Sequence, residues 1–136
     1  MSKGFGSGSS KKKINVKDVI LSKRFAEGEK FYFAKNYSEA ELIFLKLQDL
    51  GYEDPNLFLY LSNIYIFNGS DEKARICLMS ALISNPDNPN IYFSLGTIHF
   101  KRNEFNISKS YLLKGLNLDP NNSYAYSNLA GCYEEL

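Results

Sequence analysis

The sequence predicts an all-α fold, a solenoid of antiparallel helix pairs, from three observations. Landmark side chains return every thirty-four residues: Phe58, Tyr92 and Tyr126; Leu61, Leu95 and Leu129; Tyr65, His99 and Tyr133; Pro86 and Pro120. Pro55 and Pro89 keep the same interval, and stepping back from Ala74 to Ala40 finds a more divergent copy that begins near Leu21. The turn signals between landmarks are only a few residues long, so neighbouring helices must be antiparallel. A period of this length marks stacked units, none of which can bury its apolar face alone.

Residues 1–13 open with the Gly- and Ser-rich run MSKGFGSGSS and close on Lys11 to Lys13. They offer too little apolar surface to offset the entropy of ordering and are expected to form a disordered tip, with the folded domain spanning 14–136. The Gly4, Gly6 and Gly8 spacing has no strand before it and is no dinucleotide fingerprint. Asn15 can cap the first helix, with Asp18 near its positive end, and that helix is expected to reach about Ala34. Its extra turns, with Val16, Val19 and Ile20 at helical spacing, are expected to cover the open end of the first repeat. A turn over Lys35 to Tyr37 leads to a second helix, Ser38 to Leu50, with Ala40, Ile43, Phe44, Leu47 and Leu50 on one face and Gly51 as its stop.

Pro55 is expected to start the third helix, because its missing N–H is not needed in a first turn. That helix runs to about Phe67. Asn68-Gly69-Ser70 turns the chain, Asp71 opens the partner helix, and Asn85-Pro86 ends it, since proline disfavours helical geometry in the residue before it. Pro89 opens the next pair, which breaks at Arg102-Asn103 and ends over Asn117 to Pro120. Asn121-Asn122-Ser123 caps the last helix. Small residues allow close crossings: Gly28, Ser62, Gly96 and Ala130 in the first helices, Ala40, Ala74 and Ser108 in the second. Phe31, Tyr65, His99 and Tyr133 are expected to fill the gaps beside them.

Composition narrows the function classes. In 136 residues, 44% apolar and 15% aromatic content supports a core. Net charge is +1, but residues 1–13 hold four lysines and no acid, so the rest carries twelve bases against fifteen acids, a net of −3. An acidic body with a short basic tip suits nucleic acid poorly. No apolar run is long enough to span a bilayer, and no apolar stretch follows Lys11 to Lys13 as a signal peptide requires, so a cytoplasmic protein is expected. Cys77 and Cys132 match no paired metal or redox spacing and read as packing residues. His99 is the single histidine and sits where the other units have aromatics, again a packing position. One histidine, no paired carboxylates and no metal-ligand spacing point away from an enzyme, a metal or a cofactor.

The order aromatic-x2-Leu-small-x2-aromatic, then Ala-x3-apolar, then Pro resembles the tetratricopeptide repeat. The unit at about 55–88 matches through Phe58, Leu61, Ser62, Tyr65, Ala74, Leu78, Ala81 and Pro86. The unit at about 89–122 matches through Tyr92, Leu95, Gly96, Leu112 and Pro120, with His99, Ser108 and Gly115 as departures. A partial unit at 123–136 keeps Tyr126, Leu129, Ala130 and Tyr133. The unit at about 21–54 keeps Gly28, Phe31, Ala40 and Phe44, with Arg24, Glu27 and Tyr52 as departures. The resemblance implies a right-handed superhelix whose first helices line a concave groove that holds peptides or helices.

Helical geometry places one stripe of each first helix on that groove, positions three or four residues apart. It reads Ser22, Phe25, Glu29 and Tyr32; Asn56, Leu59, Asn63 and Ile66; Asn90, Phe93, Thr97 and Phe100; with Phe33, Phe67 and Lys101 at its edge. The family's clamp for the carboxylate end of chaperone tails needs Lys and Asn, then Asn, then Lys and Arg. Here those places hold Phe25, Glu29, Asn63, Phe93 and Thr97, so an acidic tail is not the expected ligand. The expected function is a protein-interaction scaffold that binds through apolar and amide side chains. Two alternatives are the front end of a larger enzyme, and self-association through Tyr126, Leu129 and Tyr133 on a last helix without its partner.

Overall fold

The computed structural model describes residues 13–136. Its regular elements there are seven α-helices: α1 Val16–Phe33, α2 Tyr37–Asp49, α3 Leu57–Phe67, α4 Asp71–Ser84, α5 Pro89–Lys101, α6 Phe105–Leu118 and α7 Ser123–Glu135. All-α helix pairs in series are therefore the fold class. The expected disordered tip lies outside the described residues, apart from Lys13. The chain divides after Tyr52 into two compact units.

The first unit is the α1–α2 hairpin. Asn15 caps α1, its side chain accepting from the Lys17 N–H at 3.0 Å. The hairpin closes tightly because Gly28 has no side chain: a Cβ there would stand 2.7 Å from Phe44 Cε1 and 3.0 Å from Ile43 Cγ2. Ala40, Phe44 and Leu47 are fully buried. Phe25 packs on Phe44 and Tyr52, with ring centroids 5.7 and 5.4 Å apart. The extra turns of α1 do not cover the first repeat as expected. Val16, Val19 and Ile20 are exposed, because α1 has 18 residues and its antiparallel partner α2 only 13, too few to run alongside the first turns. Leu50 is also exposed, being the C-cap of α2 rather than part of its buried face.

The second unit stacks α3 to α7 in chain order, with α5 packed along α6 and touching both α4 and α7. Here α3 starts two residues later than Pro55 suggests. Pro55 and Asn56 form a turn instead, in which the Asn56 and Leu57 N–H groups donate to the side chain and backbone of Asp54 at 2.8 and 3.1 Å. Pro89 does open α5, behind the cap supplied by Asn88. A repeating buried stripe is Leu57, Leu61 and Ile64, then Ile91, Leu95 and Ile98, then Ala125, Leu129 and Cys132, each triplet thirty-four residues from the last. Ser108 is fully buried as well, its hydroxyl donating to the Gly96 carbonyl at 2.6 Å and accepting from Cys132 Sγ at 3.4 Å. Ala130 and Tyr133 are exposed rather than packed at a crossing.

The period also recurs in backbone chemistry. The Tyr92 hydroxyl donates to the Pro86 carbonyl at 2.7 Å, and the Tyr126 hydroxyl to Pro120 at 2.9 Å. The regular aromatic and proline landmarks are thus two ends of one hydrogen bond, for which Phe58 has no hydroxyl. Each hairpin turn puts one residue in the left-handed region: Lys35 at φ 64°, Gly69 at 77° and Asn103 at 61°. The next residue's N–H then bonds back to Phe31, Tyr65 or His99 at 2.8 to 2.9 Å, satisfying a helix-end carbonyl. Lysine is the least suited of the three to that backbone. We expect Lys35→Gly to raise stability by about 0.5–1 kcal/mol, read as a higher thermal midpoint, with a lowered midpoint arguing against strain there.

On the surface, Arg102 pairs with Glu72 at 3.3 Å and Glu104 at 3.0 Å, tying α4 to the turn between α5 and α6. The Arg75 hydrogen bond to Glu72 holds that carboxyl below the usual carboxylate range. Exposed pairs of this kind fade as salt rises.

Candidate functional site

In the second unit the inner helices are almost free of charge. No residue of α3 is ionisable as acid or base except its tyrosines, and α5 carries only Tyr92, His99 and the terminal Lys101. Two adjoining cavities open along these helices. The larger, about 350 Å³, is lined by Asn56, Leu59, Tyr60, Asn63, Asn88, Asn90, Phe93, Ser94 and Asn122. The smaller, about 190 Å³, is lined by Ile66, Phe93, Ser94, Thr97, Leu112, Asn122, Tyr124, Ala125 and Asn128. Phe93, Ser94 and Asn122 belong to both.

The sequence-predicted residues divide by burial. Asn56, Asn63 and Asn90 are exposed on the larger cavity, and Ile66 and Thr97 are half-buried on the smaller. Thr97 Oγ1 donates to the Phe93 carbonyl at 2.9 Å and accepts from Asn128 Nδ2 at 3.2 Å, so it is fixed in place. Leu59 and Phe93, 8% and 9% exposed, form the floor rather than the walls. Phe93 can lie this low because Gly115 faces it: a Cβ on Gly115 would stand 2.6 Å from Phe93 Cδ1. Phe100 lines neither cavity. Its ring sits edge-on to Phe105, centroids 5.4 Å apart, and a Cβ on Gly131 would meet it at 2.9 Å, so it packs α5 against α6 and α7. Phe67 and Lys101 are exposed and line neither cavity.

In the first unit, Phe25 is buried, Glu29 and Tyr32 are half-buried, and Phe33 is exposed. Tyr32 meets Phe33 edge-on at 5.2 Å. Of the expected self-association residues, Tyr126 and Tyr133 are exposed, but Leu129 is buried between α7 and its neighbours and cannot serve. His99 is buried, stacked on Tyr111 at 5.5 Å with Nδ1 3.4 Å from Glu104 Oε2, away from both cavities. Burial pushes the Cys77 thiol up to about 11, which keeps it neutral and unreactive near pH 7. Among the described residues no group of His, Cys, Asp and Glu could hold a metal ion, and no helix is long and apolar enough to cross a membrane.

Eight lining residues escaped the sequence reading, among them the buried Leu112 and Ala125. Tyr60, Ser94 and Asn128 stand thirty-four apart, next to the predicted stripe; Asn88 and Asn122 are one interval apart, Asn122 having been read only as part of a cap; Tyr124 follows that cap. Carrying the period through every position, instead of one helical stripe, finds Tyr60, Ser94, Asn128, Asn88 and Asn122.

Residues 89–122 match the tetratricopeptide repeat model. No curated protein sequence matches the chain. Among solved structures, the chain is similar to the Sgt2 tetratricopeptide domain of Aspergillus fumigatus, at 20% identity over 85% of this chain and 78% of that one, with a TM-score of 0.71. It is similar to the Yersinia enterocolitica type III secretion chaperone SycD in complex with a peptide of the translocator YopD, at 18% identity over 86% and 95%, TM-score 0.77. A third similar structure is the first such domain of Spaghetti (RPAP3) bound to the HSP90 peptide SRMEEVD, at 22% identity over 87% and 91%, TM-score 0.75. Residues 89–122 thus match one tetratricopeptide repeat, and the two helix pairs before it and the single helix after it have the fold of tetratricopeptide-repeat structures.

Proposed function

We propose that the chain is a protein-interaction module that holds a peptide or helix along α3, α5 and α7, with amide side chains meeting the ligand's backbone and a small apolar pocket taking one of its side chains. The observation that carries this reading is the pair of adjoining cavities on helices almost without charge. Their volumes, about 190 and 350 Å³, fall below or at the bottom of the range of roughly 300–1,000 Å³ typical of small-molecule sites. A chain that runs from one cavity to the next uses them better than a compact metabolite does. Similar folds hold peptides in the SycD and Spaghetti structures, which supports the same class of ligand here. In the first unit, Phe33 and the half-buried Glu29 and Tyr32 are the predicted residues left to contact a partner, since Phe25 is packed away.

Because Phe100 packs the helices together, replacing it would confuse stability with binding. Asn63 is exposed at mid-helix, where arginine is a good helix former. Asn63→Arg is expected to fill the larger cavity and abolish capture of a bound partner, with a circular dichroism melt within about 0.5 kcal/mol of wild type. Undiminished capture by this variant would remove the groove from the account.

A further inference from the structure

The larger cavity has a chemical preference set by how its asparagines are held. The Asn88 Oδ1 accepts from the Asn90 N–H at 3.0 Å, and the Asn122 Oδ1 accepts from the Ala125 N–H at 2.9 Å. Each bond assigns the carbonyl oxygen of its amide to the start of a helix. What those two side chains then offer the cavity is Nδ2–H, a donor. The Asn90 and Ala125 N–H groups are taken up by these bonds, and the Nδ2 donors are left to the cavity.

Charge narrows the choice further. None of the nine lining residues is charged, and no Lys or Arg occurs between Asp49 and Glu72, between Ile76 and Phe100, or after Gly115. The turns that feed the cavity carry acids instead: Asp54, whose carboxylate accepts from Asn56 at 2.8 Å, then Asp87 beside Asn88, and Asp119 three residues before Asn122. A carboxylate ligand would find donors but no cation, and acids nearby. A peptide carbonyl would find the same donors without the repulsion.

Resting on the groove reading above, we propose that this cavity selects an extended polypeptide segment free of acidic residues, and that Asn88 and Asn122 donate to its backbone carbonyls. The neighbouring pocket, floored by Phe93 and Leu112, takes an apolar side chain of the same segment. The free carboxylate of a chain terminus is the competing ligand and is an outcome of the test.

The double variant Asn88→Asp/Asn122→Asp isolates the donors. Aspartate caps a helix as well as asparagine does, so both helix starts are kept, while each Nδ2 donor becomes a carboxylate oxygen. The probe is an array of short end-blocked peptides of Gly, Ser, Asn, Leu and Ile, with matched sets carrying a central Glu or a free C-terminus, read by fluorescence anisotropy. The neutral set is expected to bind wild type at least about tenfold more tightly than the double variant, the loss of two hydrogen bonds, with an unchanged thermal melt. The Glu-containing and free-carboxylate sets are expected to bind wild type more weakly than the neutral set. Equal binding by wild type and double variant, or a preference for either carboxylate set, overturns the proposal. If Asn63→Arg still abolishes partner capture in that case, the groove stands and only its donor chemistry is wrong. Failure of Asn63→Arg as well removes both.

Discussion

Phe44→Ala is expected to cost about 3–5 kcal/mol, the largest single loss in the first unit, because the ring is fully buried and nothing nearby can fill its place. Its edge occupies the space that Gly28 leaves open, and Phe25 packs on it from the other side. Removing the ring takes away the largest fully buried side chain of the hairpin and leaves Leu21, Phe25, Ala40 and Leu47 as its buried apolar residues. The check is hydrogen exchange: backbone amides of α1 and α2 should lose protection together. Phe44→Leu, which restores most of the volume, should recover the greater part of it. Protection in α1 unaltered by the alanine variant would mean the hairpin is held by something other than this ring.

Gly115→Ala is expected to cost about 1–3 kcal/mol by overpacking, since its Cβ would land on the Phe93 ring. The ring is 9% exposed and enclosed by Leu112, Leu116, Ala125 and Leu129, so it has little room to retreat. Phe93→Leu should relieve the clash. In a double-mutant cycle the pair should couple favourably by about 1 kcal/mol or more, whereas independent sites would add. Phe93 also floors both cavities, so Gly115→Ala should weaken ligand binding even where the protein stays folded. Additive costs and unaffected binding together would show that the ring sits elsewhere.

The glycine at 115 shows how far sequence reasoning reached. The family pattern marks it as a departure from alanine, but only the packed helices reveal that the missing methyl makes room for the ring at 93. Phe25 and Phe93 looked like ligand contacts because helical spacing puts them on the inner stripe. They are buried because each meets a second helix across a close crossing, and spacing along one helix does not record which neighbour leans over it. The amides at Asn56, Asn63 and Asn90 were legible because polar side chains on a helix three or four residues apart share a face, and here they open onto one cavity. Asn122 was legible as a cap and no more, and Asn88 was not singled out at all, since their place in the cavity depends on the start of one helix lying beside the body of another.

The interval of thirty-four residues by itself determined the helix pairs, their turns and their order, because local signals such as Asn caps, prolines and left-handed turn residues act within a few residues of chain. The stripe of Leu57, Ile91 and Ala125 in the core, the exposure of the first turns of α1, and the joining of two cavities through Phe93 were decided by tertiary structure. Those features depend on the relative length and closeness of packed helices, and a side chain's burial is a property of what stands opposite it.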